Sequence, residues 1–388
     1  MFHSMSKLKM NKLRYIATLT LLLWWICPGF GQTAKYSNEF LSLGIGARGL
    51  AMSNTMTSIA NDVTAAYWNP ACLSMSDKKY ELALMHAEYF AGIAKYDYGG
   101  IAYKIDSTSS VAISYIRFGV DNIMNTTELI DNQGNIDYNR ITYFSSADNA
   151  VLLTYAHNFR QVKGLSVGGN VKILRRTIGS FAGSWGFGLD AGIHYTIKNW
   201  HVGANLRDAT STFNAWSYHL SDRVIEVFEQ TGNEIPTNSL ELTVPKLLVG
   251  AGKYVNFGKG FNATFALDFD FTFDGARHTL IHSKVLSIDP HFGMEFAYKK
   301  IVAIRAGIGN FQQELDYDGK NRTTLQINLG IGVCIKNIVT IDYALTDIGD
   351  LSIAQYSHIF SLKVGLNSFK KKQKDAPNDE HFIGTPNF

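Results

Sequence analysis

The 388-residue sequence predicts an all-β fold, a transmembrane antiparallel β-barrel of about fourteen strands with an N-terminal hatch segment in its lumen. Three observations predict it. Apolar residues alternate with small or polar ones over long stretches, so each strand has two unlike faces. These stretches run about eleven to fourteen residues, whereas strands of soluble proteins have about 5–6 and a tilted transmembrane strand needs about 9–11. The connections alternate between short and long, as the turns and loops of membrane barrels do.

The chain opens with Lys7, Lys9, Lys12 and Arg14, continues through an apolar run from Ile16 to Cys27 and reaches Gly29-Phe30-Gly31. That order of charge, apolar stretch and small residues predicts a cleaved signal peptide over 1–31. Removing its four cations takes the formal charge from +3 to −1. No basic field remains to hold nucleic acid. The apolar run is too short to span a bilayer as a helix, and nothing later is longer. Of the two remaining cysteines, Cys72 and Cys334, no pairing is expected.

Residues 32–79 predict a hatch. The segment is rich in small side chains, carries Arg48, Asp62 and the rigid turn Trp68-Asn69-Pro70, and is too short to bury a core of its own. Residues 80–369 predict the barrel. The clearest strand sets Trp185, Phe187, Leu189, Ala191, Ile193, Tyr195 and Ile197 against Gly186, Gly188, Asp190, Gly192, His194 and Thr196. The pattern recurs over 261–274, 286–298 and 325–335. In a barrel the apolar row faces lipid and the other row faces the lumen. An even strand count with short turns in the periplasm places both termini there and the loops 119–148 and 208–245 outside. Residues 370–388, opening on a lysine run, predict a solvated polar tail.

The ionisable residues on lumen rows are Asp190, His194, Arg207, Asp268, Asp270, His291, Glu295 and Arg305. Bracing a polar barrel interior is the ordinary use of such groups, a ligand-selective lining the alternative. Trp216, Tyr218, Ile225 and Phe228 give the loop over 208–245 more apolar surface than solvent favours, which marks it as a contact surface for a partner. Gly44-Ile45-Gly46-Ala47-Arg48-Gly49 satisfies a dinucleotide fingerprint but lacks the surrounding βαβ unit, and no catalytic or metal spacing is present. No enzyme activity and no cofactor are expected.

The pattern Phe40-Leu41, Gly46-Ala47-Arg48, Ala51-Met52 and then Asn61-Asp62-Val63-Thr64-Ala65-Ala66-Tyr67-Trp68-Asn69-Pro70-Ala71 resembles the N-terminal signature of the PorV/PorQ family, and beyond it the FadL-like barrels that share Asn-Pro-Ala. The similarity spans residues 36–73. Cys72 stands where the family usually has Gly, and Met52-Ser53-Asn54 where it has Met-Gly-Gly. The resemblance implies a fourteen-stranded outer-membrane barrel of a Gram-negative bacterium. PorV-type barrels are accessory or cargo-holding subunits of larger outer-membrane machines, best known in type IX secretion; barrel assembly would be another setting. The expected partners are such a complex or a secreted cargo protein, with membrane lipid and lipopolysaccharide around the wall. FadL relatives pass hydrophobic small molecules. That alternative requires an apolar path, which the lumen rows, being mainly polar or glycine, do not offer.

Overall fold

The structure, a computed structural model, describes residues 37–130, 133–315, 321–348 and 356–367. The expected signal peptide and polar tail lie outside the described residues. Fourteen staves close an antiparallel barrel: β1 (Tyr80–Tyr89), β2 (Ala94–Lys104), β3 (Ser109–Asn125), β4 (Thr142–Asn158), β5 (Leu165–Ile178), β6 (Ala182–Ile197), β7 (Trp200–Arg207, resuming as Thr212–Tyr218), β8 (Ser239–Thr243, continuing as Lys246–Gly258), β9 (Phe261–Thr272), β10 (Ser287–Tyr298), β11 (Val302–Leu315), β12 (Asn321–Ile335), β13 (Val339–Ile348) and β14 (Ser357–Leu366). The ring closes where β1 pairs with β14, from Tyr80 opposite Leu366 to Glu88 opposite His358. Closure leaves no open edge, which a sheet in hydrocarbon requires. Among the described residues no helix is long and apolar enough to cross a membrane.

The rows face as the alternation predicts. On β6, Trp185, Phe187, Ala191, Ile193, Tyr195 and Ile197 are exposed, while Gly186, Gly188, Asp190, Gly192 and His194 are buried. Outward residues such as Ile113, Leu267, Ile304 and Phe360 continue an apolar belt around the wall. In water such a surface would be untenable; against lipid it is the matching solvent.

The connections follow the expected parity with two corrections. At one end every connection is short, for example Lys299-Lys300 and Lys336-Asn337. At the other, β3 and β4 run on beyond their expected ends, so their loop shrinks to 126–141, and β1–β2 and β5–β6 join through 90–93 and 179–181. The expected loop over 208–245 is also smaller. Thr212–Tyr218 and Ser239–Thr243 extend β7 and β8 as wall, and only 219–238, with a helix at Asp222–Gln230, stands clear.

Residues 37–79 fill the lumen as a plug of short turns and helices. Its residues Ile45, Met52, Met56, Val63, Leu73 and Trp68 form one apolar core with the inner wall. The plug enters at the long-loop end, where the Ser37 and Asn38 side chains hydrogen-bond Thr243 at 2.7 and 2.8 Å. It leaves at the short-turn end, where the Lys79 amide donates to the Leu366 carbonyl.

Candidate functional site

The plug and the lumen wall make the candidate site. Local rules shape the plug. Gly46, at φ 77°, turns the chain into a short helix (Ala47–Ala51) that carries Arg48 inward. Asn69 caps the 3-10 helix Pro70–Met75, its side chain accepting from the Ala71 amide at 3.1 Å, with Pro at the first position where no amide is needed. The Asn69 amide also donates to the Thr57 carbonyl at 2.8 Å and to the Ile193 carbonyl of β6 at 3.1 Å. One side chain thus ties two plug turns to the wall.

Close approach explains the glycines of the inner rows. A Cβ on Gly168 would stand 2.5 Å from the Pro70 carbonyl carbon, and one on Gly330 2.5 Å from the Ala51 methyl. Gly192, Gly293 and Gly307 likewise face plug atoms with no room for a side chain. These positions let the plug backbone lie directly on the sheet.

Charged residues then lock the plug to one side of the wall. Arg48 grips Glu295 through two hydrogen bonds of 3.0 Å and donates to Asn61 at 2.9 Å. Glu295 also accepts from Arg305 at 2.6 Å, and Arg305 reaches Asp342 at 2.7 Å. Asp62 meets Lys363 at 2.5 Å. Burial pushes the Asp62 carboxyl up, but the Lys363 and Arg48 charges outweigh it and hold it well below the usual carboxylate range. A second group joins Lys172 to Asp190 at 2.8 Å and to Asp208 at 2.5 Å, with Asn170 bridging Asp190 and the Ala66 carbonyl. Arg207 donates to the carbonyls of Leu41 and Tyr67 and lies 4.4 Å over the Tyr67 ring. Asp268 accepts from the Thr57 amide at 2.8 Å.

The remaining sequence candidates separate. His194 stacks on His201 at 5.5 Å. Toward the long-loop end half-buried Asp270 pairs with Lys246 at 2.8 Å, and buried His291 lies 3.4 Å from Asp289. The Trp68 indole packs inside the plug on Gly49 and edge-on to Tyr67 at 4.8 Å; its carbonyl, accepting from Asn205 at 2.9 Å, makes the wall contact. Cys72 and Cys334 are both free and buried. Burial pushes the Cys72 thiol up, so it is an inert packing group. Among the described residues no cluster could hold a metal ion.

Trp216 and Tyr218 do not sit on a free loop. They share the inward row of β7 with buried Thr212 and Asn214, stack at 6.2 Å, and the Trp216 indole donates to Glu241 at 3.1 Å. Both line the lumen mouth above Ser37 and Asn38. Ile225 and Phe228 are half-buried on the helix of the 219–238 connection, beside fully buried Val224.

The lumen is not uniformly polar, which corrects the sequence expectation. Toward the long-loop end the inner rows of β1 to β5 present Met85, Tyr89, Tyr96, Ile116, Leu152 and Leu174; toward the short-turn end they carry buried Glu81, Ser110, Ser114, Thr154, Ser166 and Asn170. The apolar set meets Phe40, Leu41 and Tyr67 of the plug, with Phe118 and Val120 half-buried toward the mouth. A seam with two apolar faces therefore lies on one side of the plug, in the half toward the long-loop end. At its margin a cleft of about 30 Å³ is lined by Leu41, Tyr67, Leu152, Lys172 and Arg207. That is room for a water or two and no more.

No family model matches the chain, and no curated relative does. Solved structures do. The CymD monoaromatic hydrocarbon channel superposes with a TM-score of 0.55 at 12% identity, over 84% of this chain and 98% of its own. The Ralstonia pickettii toluene transporter TbuX gives 0.50 at 13%, over 84% and 99%. The Pseudomonas putida toluene transporter TodX gives 0.51 at 12%, over 83% and 97%. Identities this low carry the architecture alone, a closed antiparallel barrel of fourteen strands, and they do not reach the narrower PorV/PorQ resemblance.

Proposed function

We propose that the barrel sits in the outer membrane with its short turns in the periplasm and passes small hydrophobic molecules inward from the long-loop end. The apolar seam between the plug and β1–β5 carries this reading. A hydrophobic solute entering beside Trp216 and Tyr218 would exchange one apolar contact for another along the seam. The same solute would have to break buried ion pairs on the opposite side, at several kcal/mol each. The neighbours in fold are a monoaromatic hydrocarbon channel and two toluene transporters, and solutes of that class suit such a seam.

Uptake of a labelled monoaromatic compound by cells expressing the barrel tests the reading. Uptake should exceed that of cells lacking it and should fall to that level in Leu152→Asp, once heat-modifiability shows the variant folded. Equal uptake with and without the barrel would reject transport.

A second reading keeps the barrel as an accessory or cargo-binding subunit of a larger complex, in type IX secretion or barrel assembly. It rests on the β3–β4 connection, where Ile130, Ile136 and Tyr138 are 53%, 58% and 72% exposed beyond the wall. Such a patch usually means contact. The helix Asp222–Gln230 braces it, Arg223 lying 3.7 Å from Glu128 and donating to the Ile130 carbonyl. Deleting 221–237 should strip co-purifying proteins under this reading and leave them under the first.

A further inference from the structure

We propose that the short-turn rim is a binding surface for acidic phospholipid headgroups in the leaflet it faces. Lys163, Lys198, Lys259, Lys299, Lys300 and Lys336 put a cation in five successive short turns around the ring, all exposed. Asp77 and Asp106 are the acidic residues in the short connections of that end. The opposite end is reversed in sign: the connections 126–141, 219–238 and 273–286 carry Glu128, Asp137, Asp222, Glu226, Glu229, Glu234 and Asp274 against Arg140, Arg223, Arg277 and Lys284 among the described residues. A chain of almost balanced charge is therefore strongly polarised along its axis.

Backbone geometry shows that turn chemistry alone does not account for these lysines. Lys198, Lys259, Lys299, Lys300 and Lys336 adopt φ of 53°, 52°, 50°, 56° and 53°. Tight hairpins at such angles ordinarily take Gly, Asn or Asp, which reach the left-handed region at less cost. Lysine at five such positions, in four hairpins, holds positive charge where the backbone favours other residues.

The neighbouring aromatics identify the occupant. Lys253 lies 4.9 Å over the outward Trp200 ring, Lys299 5.0 Å over Tyr298 and Lys79 4.5 Å over Tyr103. Rings at strand ends mark the headgroup level of a bilayer, and a cation held there sits among lipid phosphates. The lysines also follow the ring rather than gathering on one side, which fits an annulus of lipid and not a patch for one protein.

Quenching by brominated lipid tests the proposal. In reconstituted protein carrying Trp185→Phe and Trp216→Phe, lipid-exposed emission comes from Trp200. Brominated phosphatidylglycerol should associate about threefold more strongly than brominated phosphatidylcholine, a preference lost near 1 M salt. It should also vanish when Lys198, Lys259, Lys299, Lys300 and Lys336 are replaced by Gln. Trp185, near the long-loop end, should show no preference in a Trp200→Phe companion. Equal quenching by the two lipids, or a preference that survives the five substitutions, overturns the proposal. Should the fivefold variant fail to insert, the salt titration of the parent decides, and a salt-insensitive preference overturns it.

Discussion

The two sides of the lumen hold the same plug by opposite means. Along β6 to β14 the grip is ionic, with Arg48, Glu295, Arg305 and Asp342 in one chain of contacts and Asp62 on Lys363. Along β1 to β5 it is apolar toward the long-loop end, Tyr89, Tyr96, Ile116, Leu152 and Leu174 packing on the plug, with polar contacts such as Asn170 on the Ala66 carbonyl below. The difference teaches which side can open. Parting the ionic side strands buried charges, each worth several kcal/mol of lost solvation. Parting the apolar side exposes surface that a hydrophobic solute can cover. Under the transport reading, the ionic side would serve as the hinge and the apolar side as the one that parts.

Breaking the hinge should have the largest effect. Glu295→Ala removes the carboxylate that two buried arginines share, and should destabilise the barrel by about 3–5 kcal/mol, read from urea unfolding in detergent micelles. It should also raise ion conductance in planar bilayers as the plug loosens. Full stability with unchanged conductance would place Arg48 and Arg305 outside any lock.

Loosening the parting side should cost somewhat less and act differently. Leu174→Ala, at a fully buried position, should lose about 2–5 kcal/mol through the cavity it leaves. It should speed uptake of a monoaromatic solute while ion conductance stays low. Loss of stability with uptake unchanged would make the seam mere packing.

The sequence showed the wall far better than its contents. Alternation in β6 was decisive because Leu189 and Asp190 differ so strongly in polarity. In β1 the two rows read Leu82, Leu84, His86 and Ala83, Met85, Ala87, with no contrast to say which faces lipid. The apolar half of the lumen was invisible for that reason. Glu295 and Arg305 were legible as inward residues, but Arg48 finds Glu295 247 residues away, and Lys363 finds Asp62 301 residues away. Only the closed ring brings them together. The inner glycines were visible as small residues; their purpose, contact with the plug backbone, needed the plug in place.

A subtler probe of the apolar side is Tyr96. Its ring packs edge-on to Tyr89 and Phe118, and its buried hydroxyl makes no hydrogen bond among the described residues. Removing a buried polar group that has no partner relieves a desolvation cost, so Tyr96→Phe should leave stability unchanged or raise it by about 1 kcal/mol. A loss above that in the same urea assay would reveal a partner for the hydroxyl and a less apolar seam.

The smallest expected effect is the response of the ionic side to pH. The Asp62 carboxyl is held well below its ordinary range by Lys363 and Arg48, so the unfolded chain takes up its proton first as pH falls. Its contribution is fully present above the ordinary carboxylate value of about 4 and is lost as pH drops through the lower folded value. Across about pH 5 to 8 the Asp62 latch should therefore contribute a constant amount, and conductance of the reconstituted barrel should be flat in this respect. Below about pH 4 the plug should begin to loosen, and Asp62→Asn should be loosened already at neutral pH. The two proteins should then converge as acid removes the charge that only one of them carries. A conductance step centred between about pH 5 and 8, present in the parent and absent in Asp62→Asn, would show that Asp62 titrates in the ordinary physiological range. The latch would then be a pH switch, and the hinge side would not be the fixed side of the lumen.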